Sequence, residues 1–131
     1  MQVIHRRVKD TDFFKIQKLF LQVFNRKISK KFYQWRYKDN SKYNCFIAIY
    51  KNEIIGHVGF IRYKLNRSII KSNKRLIFSR HSSMVHKNFR KINIYSSLLK
   101  FAFSKLQKNN YGFLVWPNKN NLKVLKKSDN C

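Results

Sequence analysis

Acidic side chains are scarce in this chain of 131 residues, where five Asp and Glu stand against 30 Lys and Arg and the formal net charge is +25. No carboxylate occurs between positions 54 and 128, so this segment offers no Asp or Glu for acid–base catalysis. The uncompensated charge favours an anionic partner: nucleic acid, an acidic membrane surface or a phosphorylated small molecule. The abundance of Lys together with Asn, Ile, Phe and Tyr is also typical of an AT-rich coding sequence, which is an alternative source of the charge.

Cysteine, glycine and proline are also rare, at two, three and one residues. Cys45 and Cys131 are isolated from each other, so they make neither a disulfide framework nor a metal cluster, and we expect no metal. The sequence shows no Gly-rich phosphate loop, no paired metal-ligand spacing and no nucleophile elbow. It also shows no apolar run of about 18 residues and no continuous apolar segment at its start, so we expect no membrane span, no secretion and a cytoplasmic location.

The apolar content is that of a folded protein, because 44% of the residues are hydrophobic and 16% are aromatic. These fractions are not those of a disordered chain. A chain of this length buries roughly two-thirds of its unfolded surface in one core. We therefore predict a single domain that spans residues 1–131.

The first part of the chain predicts one strand and two helices. Residues Gln2–Val8 alternate as a short strand does, and the acids of Asp10–Asp12 suit the positive end of a following helix. The apolar residues of that helix recur at intervals of three and four, namely Phe13, Ile16, Leu19, Phe20, Val23 and Phe24. Asn25 is expected to end it, and Ser29 to cap a second helix, Lys30–Lys38.

The second helix carries the cluster Trp35-Arg36-Tyr37, for which two interpretations stand. In the favoured one, Trp35 packs on a sheet while the charge of Arg36 reaches water. In the other, the cluster stacks on a base or an adenine ring.

The middle of the chain predicts a β-hairpin. Two β-rich runs, Tyr43–Tyr50 and Ile54–Leu65, are joined by a short polar turn. Gly56 and Gly59 lie within the second run and indicate a bulge or a close backbone approach. His57 lies between them and is expected to be a half-buried strand histidine, with a substrate-facing histidine as the alternative.

The second half predicts, after a turn at residues 66–73, a strand, a helix, a strand and a last helix. Their ranges are Lys74–Val85, Ile94–Asn109, Tyr111–Trp116 and Leu122–Lys127. The complete order is that of an α+β fold, or α/β sandwich, with a mixed and mostly antiparallel central sheet flanked by helices. The strand-helix-strand unit requires a parallel pair of strands with a right-handed crossover.

The turn before the third helix is the most informative stretch of the sequence. The first N–H groups of a helix have no intrahelical partner, which makes a helix start an anion site. Arg90 and Lys91 add side-chain charge at the same place. We expect any chemistry of this protein to occur there.

Four segments together resemble the GNAT-type N-acetyltransferase superfamily. The run Met84–Arg90 is similar to that family's strand-end segment, and the run Arg90–Tyr95 is similar to its phosphate-binding turn. The run Gly56–Gly59 is similar to the family's third strand, and Gly112–Asn120 to the fifth strand and Pro-Asn turn of a bacterial branch. The resemblance covers about residues 2–127. It implies an acyl-CoA N-acyltransferase fold and acetyl transfer from acetyl-CoA to an amine that the sequence does not identify.

The resemblance also implies how the cosubstrate would be bound. The implied residues are Met84, Val85, Arg90, Lys91, Ile92, Asn93, Ile94, Tyr95, Asn118 and Asn120. Those of the turn, from Arg90 to Tyr95, would hold the pyrophosphate of CoA through side chains and backbone amides. The backbone at Met84 and Val85 would polarise the thioester carbonyl. Asn118 and Asn120 would bond the amide arm of CoA or act only as turn residues.

His81 is the candidate general base, because a neutral imidazole accepts a proton near pH 7 and carboxylates are missing from this half of the chain. The alternative for His81 is an exposed or hydrogen-bonded strand histidine. His86, at the turn, is expected to face the phosphates. No tyrosine follows Tyr111, so the position from which the family protonates the leaving thiolate is empty.

Two departures from the family pattern bear on activity. Asn93 and Tyr95 stand where the family has Gly and a small residue, and both changes would widen the phosphate seat and weaken CoA binding. The family usually continues with two more strands beyond the point that Lys127 reaches, so the resemblance implies a minimal domain or one that is incomplete at the C-terminus. The alternatives to an active enzyme are a catalytically inactive truncated fragment and a basic nucleic-acid-binding protein, which the scattered charges do not favour.

Overall fold

This computed structural model describes residues 2–64, 76–106 and 110–114, which contain seven strands, three α-helices and two short 3-10 helices. The strands are β1 (Ile4–Arg7), β2 (Lys38–Asp39), β3 (Lys42–Tyr43), β4 (Cys45–Tyr50), β5 (Glu53–Lys64), β6 (Leu76–Val85) and β7 (Asn110–Leu114). The helices are α1 (Phe13–Phe24), α2 (Lys30–Tyr37) and α3 (Ile94–Leu106). None of these helices is long and apolar enough to cross a membrane.

The central sheet has five strands in the order β1-β4-β5-β6-β7. Every neighbouring pair is antiparallel except β6 and β7, which are parallel and are joined through α3. The mixed, mostly antiparallel sheet and the parallel pair of the strand-helix-strand unit are therefore confirmed. Strands β2 and β3 form a separate two-stranded ribbon.

Two hydrophobic clusters cover the two faces of this sheet. The first joins α1 and α2 to the sheet and includes Ile16, Phe20, Tyr33, Tyr37 and Ile47. The second joins α3 to the opposite face through residues such as Phe46, Phe60, Leu98, Leu99 and Ala102. Complete burial of each large apolar side chain contributes about 1.5–3 kcal/mol, so the sheet is stabilised from both sides.

The polar residues at the helix ends act as the sequence predicts. Asn25 ends α1 in the left-handed conformation (φ 56°), and its N–H donates to the Leu21 carbonyl. The Ser29 hydroxyl caps α2 by accepting from the Phe32 N–H at 3.1 Å. Left-handed Asn and N-cap Ser are the preferred residues at these two positions.

The β4–β5 hairpin is also confirmed. Its turn residues Lys51 and Asn52 both have positive φ, at 49° and 63°, and Tyr50 pairs with Glu53 across them. Two successive left-handed residues give the turn a twist that matches that of the strands. Cys45, at the start of β4, is fully buried as a free thiol.

The favoured interpretation of Trp35 is wrong. Trp35 is 76% exposed, whereas Tyr33 and Tyr37 are 2% and 1% exposed and face the sheet. Residues four apart share a helix face, so α2 can turn either the Tyr pair or the Phe32 side toward the core. The Tyr pair lies inside because its hydroxyl groups find hydrogen-bond partners there, His57 for Tyr33 and Ser82 for Tyr37. Arg36 does not extend into water either, since its guanidinium bonds to His81 and Tyr37.

Several expectations lie outside the described residues. They are the turn at 66–73, the last helix Leu122–Lys127 and the two cosubstrate residues Asn118 and Asn120.

Candidate functional site

A β-bulge in the middle of β6 is the central feature of the candidate site. Ser82 has φ 51°, which is uncommon for a residue other than glycine. In the register with β5, His57 pairs with Met84 and Gly59 pairs with His81, so Ser82 and Ser83 together lie opposite Val58. The extra residue reverses the alternation of side chains along β6.

The two faces of β6 show this reversal directly. On the α2 side lie His81 and Ser82, which contact Arg36 and Tyr37 respectively. On the α3 side lie Arg80 and Ser83, and both bond to the hydroxyl of one tyrosine of α3. The bulge therefore places side chains 81 and 82 together beneath α2.

Buried groups from two other elements hold the bulge. The Tyr37 hydroxyl lies 2.5 Å from Ser82 Oγ. The Nδ1 of His57 lies 2.8 Å from the Ser82 carbonyl, which can only accept, so Nδ1 carries the hydrogen. The Nε2 of His57 then accepts from the Tyr33 hydroxyl at 2.8 Å. Burial lowers the pKa of His57 to about 4, so this imidazole is neutral at physiological pH.

His57 is thus more buried than the sequence suggested, because it is 0% exposed and both of its ring nitrogens are bonded inside the protein. It is not a substrate-facing histidine. The close backbone approach predicted at the neighbouring glycines is confirmed at Gly59. A Cβ atom at this position would lie 2.7 Å from Cε1 of Tyr37.

Among the described residues, β6 has no partner strand on its β7 side between Arg80 and Val85, and we call this stretch the open edge. The parallel pairing with β7 runs from Leu76 to Ser79, and no described strand continues it from Arg80 to Val85. The N–H of His86 donates to the Ile55 carbonyl of β5 at 2.8 Å. Since backbone groups alternate along a strand, those of Val85 point away from β5, toward the open edge.

The turn that follows β6 leads directly into the N-terminus of α3. The Nε of Arg90 donates to the Val85 carbonyl at 3.1 Å, so this side chain folds back toward the open edge. Lys91, Ile92 and Asn93 are exposed. The Ile94 N–H bonds to the Ile92 carbonyl at 2.6 Å and is therefore occupied within the turn. The α3 dipole is positive at this end, which favours a bound anion.

The two residues that depart from the family pattern are accommodated in different ways. Asn93 has no positive φ, so this turn does not need a glycine there, and the Asn93 carbonyl accepts from the Ser97 N–H at 3.2 Å. The Tyr95 ring points back to β6, where its hydroxyl donates to Ser83 Oγ at 3.1 Å and accepts from Arg80. The bulk of Tyr95 is therefore directed away from the first turn of the helix.

His81 is engaged at both ring nitrogens. Its Nδ1 lies 2.9 Å from Nη2 of Arg36, and its Nε2 lies 2.8 Å from Ser79 Oγ. Burial and the positive charge of Arg36 lower the pKa of His81. The side chain is therefore neutral at physiological pH, which is the form that a base requires.

Both ring nitrogens of His86 are hydrogen-bonded within the protein. Its Nδ1 accepts from the Asn88 N–H at 3.1 Å, and its Nε2 lies 2.8 Å from Gln22 of α1. This histidine connects α1 to the end of β6. No signal in the sequence pointed to this connection, nor to the bonds that Tyr33 and Tyr37 make beneath the bulge.

Solved structures that are similar to this chain agree on its fold. No protein-family model and no curated protein matches the sequence. An aminoglycoside acetyltransferase from an uncultured soil metagenomic sample, meta-AAC0020 in complex with trehalose, is 19% identical with a TM-score of 0.68, over 98% of this chain and 86% of that one. Naa50 of Arabidopsis thaliana, in complex with the bisubstrate analogue CoA-Ac-MVNAL, is 19% identical with a TM-score of 0.74, over 97% and 82%.

A third solved structure has a similar fold at lower sequence identity. Glucosamine-6-phosphate N-acetyltransferase of Arabidopsis thaliana is 9% identical with a TM-score of 0.74, over 98% of this chain and 91% of that one. The chain therefore has the fold of the GNAT-type acetyltransferases, as the resemblance implied.

Proposed function

We propose that this protein is an acetyl-CoA-dependent N-acetyltransferase that acts on an amine. The observation that carries the proposal is the edge of β6 that no described strand covers, which contains the bulge and leads to a helix N-terminus in a fold shared with N-acetyltransferases. The extended arm of acetyl-CoA that carries the thioester can pair with such an edge while the phosphates of CoA reach the helix start.

The turn residues would bind the pyrophosphate. Arg90 and Lys91 supply positive charge, and the free amides at the start of α3 supply donors, with the Ile94 amide already in use. The side chain of Tyr95 leaves this space clear, because it is bonded to β6. Asn118 and Asn120 complete the proposed set at the amide arm of CoA.

The chemistry would take place beside the bulge. The amine attacks the thioester carbonyl carbon, the C–S bond breaks and the amine loses one proton. The outward-pointing N–H of Val85 would stabilise the negative charge that develops on the carbonyl oxygen, whereas the backbone of Met84 pairs with His57 of β5. His81 would accept the proton of the amine.

Isothermal titration calorimetry with acetyl-CoA tests the proposal. Arg90→Ala removes a charge-assisted phosphate contact of about 1.5–3 kcal/mol, so we expect the affinity to fall about 10- to 150-fold. Lys100→Ala, an exposed residue farther along α3, is the matched control for the loss of one charge. Millimolar binding by the native protein, or an equal effect of the two variants, would contradict the proposal.

One observation favours a second candidate function, the binding of single-stranded nucleic acid. The exposed ring of Trp35 lies 5.8 Å from that of Phe32, with Arg36 over Phe32 at 5.9 Å. Aromatic rings beside cations are a stacking surface for bases. Quenching of Trp fluorescence by an oligonucleotide at two salt concentrations tests it, and the absence of salt-dependent quenching rejects it.

A further inference from the structure

Arg36 is a half-buried cation that has no carboxylate partner among the described residues. The three ion pairs in this part of the chain use other cations, namely Arg6, Lys38 and Arg62. The guanidinium of Arg36 instead donates from Nε to the Tyr37 hydroxyl at 3.3 Å and from Nη2 to the neutral ring of His81. A half-buried guanidinium that bonds only to neutral groups remains able to bind an anion.

The direction of the hydrogen bonds shows what Arg36 does to His81. A guanidinium has donors only, so Nδ1 of His81 must accept, and its lone pair is occupied. In a neutral ring the hydrogen is then on Nε2, which donates to Ser79 Oγ. His81 has no free lone pair in this arrangement and cannot accept a proton until Arg36 moves.

We propose that Arg36 binds an acid group of the acceptor, so that the acceptor is an amine that carries a carboxylate or a phosphate. This inference rests on the proposed function. When the guanidinium turns to the acid group, Nδ1 of His81 is released and takes the proton that the attacking amine loses. The electron pair of the C–S bond leaves with the thiolate, which water protonates, and His81 returns its proton to water.

The surroundings of His81 fit an anionic acceptor. Within the described part of the chain, His81 bonds to Arg36 of α2 and to Ser79 of its own strand, Tyr37 bonds to Arg36 and to Ser82, and none of these groups is acidic. Asp39 of β2, the carboxylate that follows α2 in sequence, is paired with Arg62 at 2.8 Å and does not compete for the guanidinium of Arg36. The exposed Phe32 and Trp35 rings border Arg36 and provide an apolar wall for the rest of the acceptor.

NMR titration of the His81 ring in the full chain tests the inference without turnover. The probes are sodium acetate and inorganic phosphate, each compared with chloride at equal ionic strength. An anion that draws Arg36 away removes the hydrogen bond on Nδ1 and neutralises the nearby charge, so we expect the pKa of His81 to rise. The acid that produces the larger rise identifies carboxylate or phosphate as the group bound.

Variants of α2 complete the test. Arg36→Gln is expected to raise the pKa of His81 without an anion and to abolish the further rise, while Arg36→Lys retains part of it. Lys31→Gln, an exposed residue of the same helix, should behave as the native protein does. The inference is overturned if acetate and phosphate leave the pKa of His81 unchanged in the native protein. It is also overturned if they raise this pKa as much in Arg36→Gln as in the native protein.

Acetylation rates separate this inference from the proposed function. With acetyl-CoA, kcat/KM for β-alanine or phosphoethanolamine should exceed that for ethanolamine at least tenfold, and Arg36→Gln should remove the difference. Equal rates for all three amines overturn the acid-group inference and leave the acetyltransferase proposal standing. Failure of the native protein to bind acetyl-CoA in calorimetry overturns the proposed function, whereas the response of His81 to anions is measured independently.

Discussion

The hydroxyl of Tyr37 lies 2.5 Å from Oγ of Ser82, and this contact joins α2 to the one left-handed residue among the described positions of β6. A non-glycine residue in this conformation costs about 1–3 kcal/mol unless its surroundings hold it. Tyr37 and His57 together supply those surroundings. The shape of the candidate site thus depends on residues that would not touch a ligand.

Removal of the Tyr37 hydroxyl should destabilise the protein. Tyr37→Phe leaves Ser82 Oγ and one donor of Arg36 without their partner, and we expect the free energy of unfolding to fall by about 1–3 kcal/mol. Urea denaturation measures the change. Tyr63→Phe, at an exposed ring on β5, removes a hydroxyl in water and should have almost no effect. Equal effects of the two variants would show that the bond between Tyr37 and Ser82 adds nothing to the free energy of unfolding.

Acid should destabilise the protein through His57. The pKa of this ring is about 4 in the folded state against 6.5 in an unfolded chain, so the unfolded state binds the proton first. The contribution of His57 is complete above pH 6.5 and is lost as the pH falls toward 4, by up to about 3 kcal/mol.

His57→Gln should flatten the dependence of the unfolding free energy on pH between 6.5 and 4. Denaturation at a series of pH values measures it. The rings of His5 and His81 also have lowered pKa values, so the comparison must be between the native protein and the variant. Curves that run parallel through this range would refute the role of His57.

A methyl group at Gly59 should be more harmful than one at Gly56. At Gly59 the new Cβ would lie 2.7 Å from a ring atom of Tyr37 and 3.2 Å from the His81 carbonyl, and neither can move freely. At Gly56 it would meet the Ile94 side chain at 3.1 Å, which can adjust. We expect Gly59→Ala to cost about 1–3 kcal/mol and Gly56→Ala less, as measured by urea denaturation. The reverse order would contradict the packing described for Tyr37.

Replacement of Trp35 should leave the stability unchanged. Its ring is 76% exposed, and Trp35→Ala is expected to alter the free energy of unfolding by less than about 0.5 kcal/mol. Tyr33→Phe, on the inner side of the same helix, removes the donor to His57 and should cost about 1–3 kcal/mol. Thermal denaturation of the two variants tests whether Tyr33, and not Trp35, lies on the face of α2 that contributes to stability.

Local signals in the sequence were sufficient for much of the scaffold. The apolar spacing of α1 predicted its bounds, Asn25 its end and Ser29 the cap of α2. Gly59 predicted a close backbone approach, because a glycine inside a strand packs no side chain and leaves room for a neighbouring group. Each of these signals depends on a few neighbouring residues, and so it can be read without the tertiary structure.

The site depended on contacts between distant segments. Ser82 carries no local mark of a bulge, since its conformation is stabilised by His57 and by Tyr37 of another helix. The inner face of α2 could not be chosen by periodicity, because Tyr33 and Tyr37 recur as regularly as Phe32 and Arg36. The partners of the two tyrosine hydroxyls, His57 on β5 and Ser82 on β6, determine which face of α2 is buried. For the same reason the sequence selected His81 but missed the cation that occupies its lone pair.

The parallel pairing of β6 with β7 bears on the order in which the protein assembles. The β4–β5 hairpin closes through a two-residue turn, whereas Leu76 and its partner Asn110 are separated in sequence by the whole of α3. Contacts between residues far apart in sequence form slowly, because the loop between them must close first. The pairing of β6 with β7 is therefore expected to form later than the β4–β5 hairpin. A ligand that bridges β6 and the start of α3 would stabilise the last-formed part of the molecule, and with it the complete sheet.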